Sequence, residues 1–143
     1  MSYSIKRLSR EPIIILTSET VPDEAALREH IAATANLLRP FEHTYVVIDN
    51  RKINIDFATL IHLLKVHQEG GRGTIADPNI TPVFVGSESM IRLMRDALAQ
   101  QNHNGRNIPL LQSMEAALEF IRKRIAIDRE TRSILKSLAQ NYR

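Results

Sequence analysis

Apolar positions along this chain switch between a period of two and a period near three and a half, and each switch marks an element. Ser4-Ile5-Lys6-Arg7-Leu8 alternates and predicts a short strand; past the turn at Arg10-Glu11-Pro12, Ile13-Ile14-Ile15-Leu16 predicts a buried one. A connection that short makes the pair antiparallel. Pro22 opens a helix with Asp23 and Glu24 in its first turn, beside the positive end of the dipole. Leu27, Ile31, Ala35 and Leu38 mark its inner face, and Pro40 stops it. A strand over Tyr45–Asp49 follows. Asp56 is then placed to cap a helix over Phe57–Gln68, with Phe57, Leu60, Ile61 and Leu64 at the i, i+3, i+4, i+7 spacing of one buried face. Leu63 and Val66 widen that apolar sector, toward a neighbouring helix or a partner.

Glu69 to Asn79 is a long loop rich in breakers, and Gly70 ends the preceding helix. Val83-Phe84-Val85 predicts a strand. Ser87 caps the next helix, whose inner face is Met90, Ile91, Met94, Ala97 and Leu98. Gln101 to Asn107 is a polar loop with an Asn104-Gly105 turn, and Ile108-Pro109-Leu110-Leu111 is a short strand that its proline places at an edge. Ser113 caps the last core helix, facing inward with Ala117, Leu118 and Ile121. From Ile125 to Arg143 a further amphipathic helix uses Ile127, Ile134, Leu135 and Leu138.

Strands alternating with helices imply an α/β fold. The expected architecture is a single domain over residues 1–125: a mixed, mostly parallel five-stranded sheet with one antiparallel edge pair, covered by helices. Residues 126–143 form an extra basic C-terminal helix. Its apolar stripe needs burial, either on its own domain or in a second subunit, which would give a homodimer.

Charge refines this picture. The chain carries a formal +3, yet from Arg122 onward seven bases face two acids, a net +5, so the rest is −2. Such a tail can attract nucleic acid, an acidic partner or an anionic membrane surface, and more often is the solvated face of a terminal helix. No nucleic-acid partner is expected, because no aromatic residues interleave the bases and no reading motif is present. The absence of cysteine excludes disulfides, thiol nucleophiles and thiolate metal sites. The stretch MSYSIKRLSREP lacks an apolar leader core and no apolar run reaches membrane-spanning length, so a cytoplasmic protein without a membrane span is expected.

Candidate chemistry is sparse. Gly70-Gly71-Arg72-Gly73-Thr74 follows a helix and lacks the lysine of a phosphate loop. Ser87 lies between a strand and a helix, but Val85-Gly86-Ser87-Glu88-Ser89 is not a nucleophile elbow. His62 and His67 are five residues apart, not the i, i+4 of a helical metal pair, and His30, His43 and His103 stand isolated in sequence. Asp49 ends a strand where α/β sheets meet their functional loops, and Asp56 begins a helix whose free amides favour anions. No catalytic residue, cofactor or metal is expected, and the chain reads as a non-enzyme.

The order of elements, together with Val47-Ile48-Asp49, the stretch from Ile53 to Leu60, Thr81-Pro82-Val83-Phe84-Val85-Gly86 and the run from Ile108 to Leu118, resembles a STAS domain. This is the fold of anti-sigma-factor antagonists (SpoIIAA-like), and the resemblance spans about Ile5 to Ile125. It implies a non-enzymatic regulatory protein-interaction module whose partner is an anti-sigma-kinase-like protein or a larger signalling assembly. Family members carry a phosphorylatable serine just before a glycine at the helix start. Aligned on Asp56, those positions are Ala58 and Thr59, so the usual serine switch cannot operate at Ala58; Thr59 is open as a displaced substitute, though its spacing reads more simply as a first-turn helix residue. Helical geometry places Ala58 and His62 away from the apolar face. With Asp49, Asn50, Arg51, Lys52, Asp56 and Thr59 they form the expected partner-binding surface. The rival is a small-molecule or lipid-binding domain of the same fold, with a pocket beneath the Met90/Met94 helix. A hydrolase or transferase built on Asp49 and Ser87 is the third and weakest reading.

Overall fold

The computed structural model describes residues 3–100 and 107–141. The expected Asn104-Gly105 turn and His103 lie outside them. In chain order the elements are β1 (Tyr3–Arg7), β2 (Ile13–Ser18), α1 (Glu24–Leu37), β3 (Thr44–Asp49), α2 (Phe57–Gln68), β4 (Ile80–Val85), α3 (Glu88–Gln100), β5 (Leu110–Leu111) and α4 (Met114–Asn141). The five strands lie side by side in sequence order, β1 antiparallel to β2 and every later pair parallel. This is the α/β fold expected, with its antiparallel pair at one edge and β5 at the other.

The strand order decides where the helices go. Each parallel step moves the same way across the sheet, and right-handed crossovers then place α1, α2 and α3 on one face. Alternation along the strands supplies that face with Ile14, Val46, Ile80 and Phe84, and the other with Ile13, Ile15, Tyr45, Val47, Val83 and Val85. Among the described residues α4 is the one helix on the second face, through Ala117 and Ile121, both fully buried. Burying a side chain the size of Ile121 contributes roughly 1.5–3 kcal/mol.

Four local expectations need correction. Asp23 is not in the first turn of α1 but is its N-cap, with an extended backbone and a side chain accepting from the Ala26 amide at 2.8 Å. The buried residues of α1 are Leu27, His30 and Thr34, while Ile31 and Ala35 are only partly buried. Thr34 is tolerated inside because its hydroxyl donates to the His30 carbonyl at 2.9 Å. Strand β4 begins at Ile80, so Pro82 lies within a parallel strand flanked on both sides. The Phe84 amide donates to the Pro109 carbonyl at 2.9 Å, and Pro82, two residues earlier, faces the same side just before β5 begins. No ladder bond is lost there.

Finally, the core helix at Ser113 and the basic tail are one helix of 28 residues, since no glycine or proline interrupts it. The boundary expected after residue 125 falls inside it. The apolar stripe of its far half is left uncovered: Ile127, Ile134, Leu135 and Leu138 are 55%, 54%, 60% and 48% exposed. No described helix is long and apolar enough to cross a membrane.

Candidate functional site

Strand β3 carries the chain to the edge of the domain at Asp49, which is 3% exposed. Its carboxylate accepts from the Arg51 guanidinium twice, Nε to Oδ1 and Nη2 to Oδ2, both at 2.9 Å. The Arg51 amide adds a bond at 3.2 Å and the Thr17 hydroxyl one at 3.5 Å. Burial pushes the carboxyl up, but the Arg51 side-chain and backbone bonds outweigh it and hold Asp49 below its ordinary range. Asp49 is thus an ionised anchor whose lone pairs are occupied; it shapes the loop and presents Arg51, whose side chain is 45% exposed.

The neighbouring Asn50 is buried, and its amide donates to the Val85 carbonyl at 2.8 Å, pinning the loop to β4. Asp56 caps α2 as expected, accepting from the Thr59 amide at 2.8 Å. That bond holds the Asp56 carboxyl below its ordinary value. Ala58 and His62 face solvent, and Thr59 is partly covered. The His62 imidazole lies 3.2 Å from Glu24 at the start of α1, and the Lys52 ammonium 3.7 Å from Glu19 after β2. Such exposed pairs contribute little to stability, so a docking partner can exchange them at small cost. The structure therefore gathers Arg51, Lys52, Asp56, Ala58 and His62 on an exposed surface, and puts Asp49 and Asn50 beneath it.

The glycine-rich loop proves structural. Its Arg72 guanidinium donates to the Ala35 and Leu38 carbonyls, at 3.4 and 3.3 Å, and so satisfies the C-terminal end of α1. Gly73 comes so near α1 that an added Cβ would meet the Ile31 carbonyl oxygen at 2.5 Å. Ser87 accepts from the Met90 amide at 3.3 Å, the cap expected of it.

Sequence reading missed the second feature. Between the sheet, α1, α2 and the Gly73–Ile75 loop lies an apolar cavity of about 70 Å³, lined in part by His30, His67, Asn50 and Met94. His30 and His67, isolated in sequence, share this space. The His67 Nδ1 accepts from the Ile75 amide at 3.1 Å, and burial, reinforced by nearby His30, lowers its pKa to about 4. His30 is 2% exposed, its ring lies 4.1 Å from that of Tyr3, and its Nε2 has no hydrogen-bond partner among the described residues. Burial lowers its pKa too. The signal was available: His30 follows Leu27 by three, and His67 follows Leu64 by three and Leu60 by seven, all inward positions. Among the described residues no group of three acidic or histidine side chains is placed to hold a metal. No family model and no curated protein matches the chain.

Proposed function

We propose that this chain is a non-enzymatic regulatory interaction module that docks a protein partner through the β3–α2 surface and works without the serine phosphoswitch of the STAS domains it resembles. The observation that supports it best is the exposed first turn of α2. There Ala58 offers a small apolar spot with no hydroxyl, near Arg51, Lys52 and His62; Lys52 makes a surface ion pair with Glu19, and His62 an exposed contact with Glu24. Asp49, the one carboxylate positioned like a catalytic group, is held by Arg51 and is poorly suited to take a proton. An anti-sigma-kinase-like protein or a larger signalling assembly is the kind of partner this reading supplies.

The Ala58→Glu variant tests it. A carboxylate in the first helical turn is favoured by the dipole, so thermal stability should persist while partner capture from lysate falls. An unchanged partner set with intact folding would overturn the reading.

The alternative, a small-molecule or lipid-binding domain, draws support from the histidine-lined cavity. Its size argues against a lipid: about 70 Å³ is roughly half the volume of the apolar cavity of about 150 Å³ that admits benzene. Only a ligand of a few heavy atoms fits without moving α1 or α2.

A further inference from the structure

The basic tail acquires a setting that its sequence does not reveal. At the opposite end of the strands from Ala58, α4 runs beside the β1–β2 turn and the α1–β3 loop, and a cleft of about 300 Å³ opens between them. That is the lower end of the volume range of small-molecule sites. Five arginines and three acids line it, a net +2: Arg7, Arg10, Arg39, Arg129 and Arg132 against Glu11, Glu42 and Asp128.

Each of the acids is already engaged. Glu42 pairs with Arg7. Glu11 accepts two bonds at 2.9 Å from Arg122, which lies outside the cleft lining. Asp128 accepts from the Tyr45 hydroxyl at 3.1 Å. The guanidinium groups of Arg10, Arg39, Arg129 and Arg132 make no hydrogen bond or close ion pair among the described residues, and the charge of Arg129 is felt at Glu11, whose pKa it helps the Arg122 hydrogen bonds to lower. Arg7 is built in rather than laid on the surface: its side chain is 9% exposed, it donates to the Leu37 carbonyl at 3.2 Å, and its Nε is buried without an acceptor among the described residues. Two of the three carboxylates are paired with arginines, and the guanidinium groups outnumber the acids, so the cleft matches the oxygens of a phosphate chain.

One wall is unusual. Phe41 is fully exposed and has φ 61°, a left-handed conformation rare for a bulky side chain. Its ring buries nothing in the domain, so its face is free to stack on a flat aromatic group. Aromatic residues do not interleave the tail in sequence; the fold brings Phe41, His43 and Tyr45 to it from the other side of the cleft.

We propose that this cleft is a binding site for a nucleotide carrying at least two phosphate charges, with the phosphates held by the arginines and the base stacked on Phe41. Calorimetric titration of the full chain at low salt tests this with four probes: ADP, CDP, inorganic pyrophosphate and a 20-nucleotide single-stranded RNA. Both nucleotides should bind, with pyrophosphate at least tenfold weaker. Affinity should fall as salt rises. Arg129→Ala with Arg132→Ala, two exposed positions on α4, should weaken ADP at least tenfold at unchanged melting temperature. Phe41→Ala should weaken ADP and leave pyrophosphate alone. No binding of ADP or CDP at millimolar concentration would overturn the proposal. So would ADP binding indifferent to the arginine pair, or RNA binding in the absence of any nucleotide binding, which would mark a polymer surface instead. Because Ala58 lies at the other end of the strands, failure here leaves the interaction surface untouched, and the reverse holds.

Discussion

Acid should destabilise this domain well before its carboxylates titrate, and His67 is the reason. In the unfolded chain a histidine titrates near 6.5; inside the fold, burial against the cavity and the nearby His30 lower His67 to about 4. The folded state therefore holds the imidazole neutral, and between those two values the unfolded state binds the extra proton. Stability is fully present above pH 6.5 and is lost as pH falls toward 4. A shift of this size corresponds to a loss of about 2 kcal/mol by pH 5 and about 3 kcal/mol by pH 4. Against a typical domain stability of about 5–15 kcal/mol this is a large fraction. Urea melts at pH 7.5, 6 and 5 measure it, ahead of most carboxylate titration. The diagnostic variant is His67→Asn, whose side-chain oxygen can replace Nδ1 as acceptor for the Ile75 amide but takes up no proton. It should flatten the pH dependence, leaving only the smaller slope due to His30, which burial also lowers. Wild-type stability that is level from pH 7.5 to 5, or a His67→Asn slope equal to wild type, would refute the reasoning.

Three further outcomes are expected. Gly73→Ala should cost about 1–3 kcal/mol, because φ is 91° and the new Cβ would press on the Ile31 carbonyl; chemical denaturation measures this, and Gly71→Ala, with open space around it, should cost less. Ser113→Ala removes the acceptor for the Ala116 amide at 3.0 Å and should cost about 1 kcal/mol in the same assay. Ile134→Lys with Leu138→Lys changes side chains that are about half exposed, so monomer stability should move by less than about 0.5 kcal/mol; light scattering of wild type and variant tests the homodimer that the stripe suggests, and a mass equal to one chain in both would sink it.

What could be read from the residues followed from how locally each element is specified. Helix α2 has the bounds expected, Phe57–Gln68, because Asp56 caps one end and glycines follow the other. The inner face of α1 is wider than apolarity predicts: Leu27, Ile31 and Leu38 do pack on the core, but His30 and Thr34 are buried beside them. Whether a polar side chain turns inward depends on what the sheet and the glycine-rich loop place opposite it, and that is tertiary. The start of β4 was missed for a similar reason: a proline weakens a strand pattern unless the neighbouring strand is known to be short. At the candidate surface the exposure of Ala58 and His62 was legible from helical angle. The Arg51 clamp on Asp49 and the pairs to Glu19 and Glu24 were not, since they join separate loops.

The placement of α4 alone on the second face has a consequence for how the chain reaches its fold. Contacts on the α1–α3 face join elements adjacent in sequence and can form as the chain lengthens. The opposite face must wait for the last helix, whose Arg122 meets Glu11 across 111 residues. Until then Ile13, Ile15, Val47, Val83 and Val85 present a bare apolar sheet. Long-range closure of this kind is slow, and exposed sheet invites association. Refolding should accordingly pass through a dye-binding species with one finished face, and the nascent protein is most vulnerable to aggregation just before Ala117 and Ile121 become free to dock.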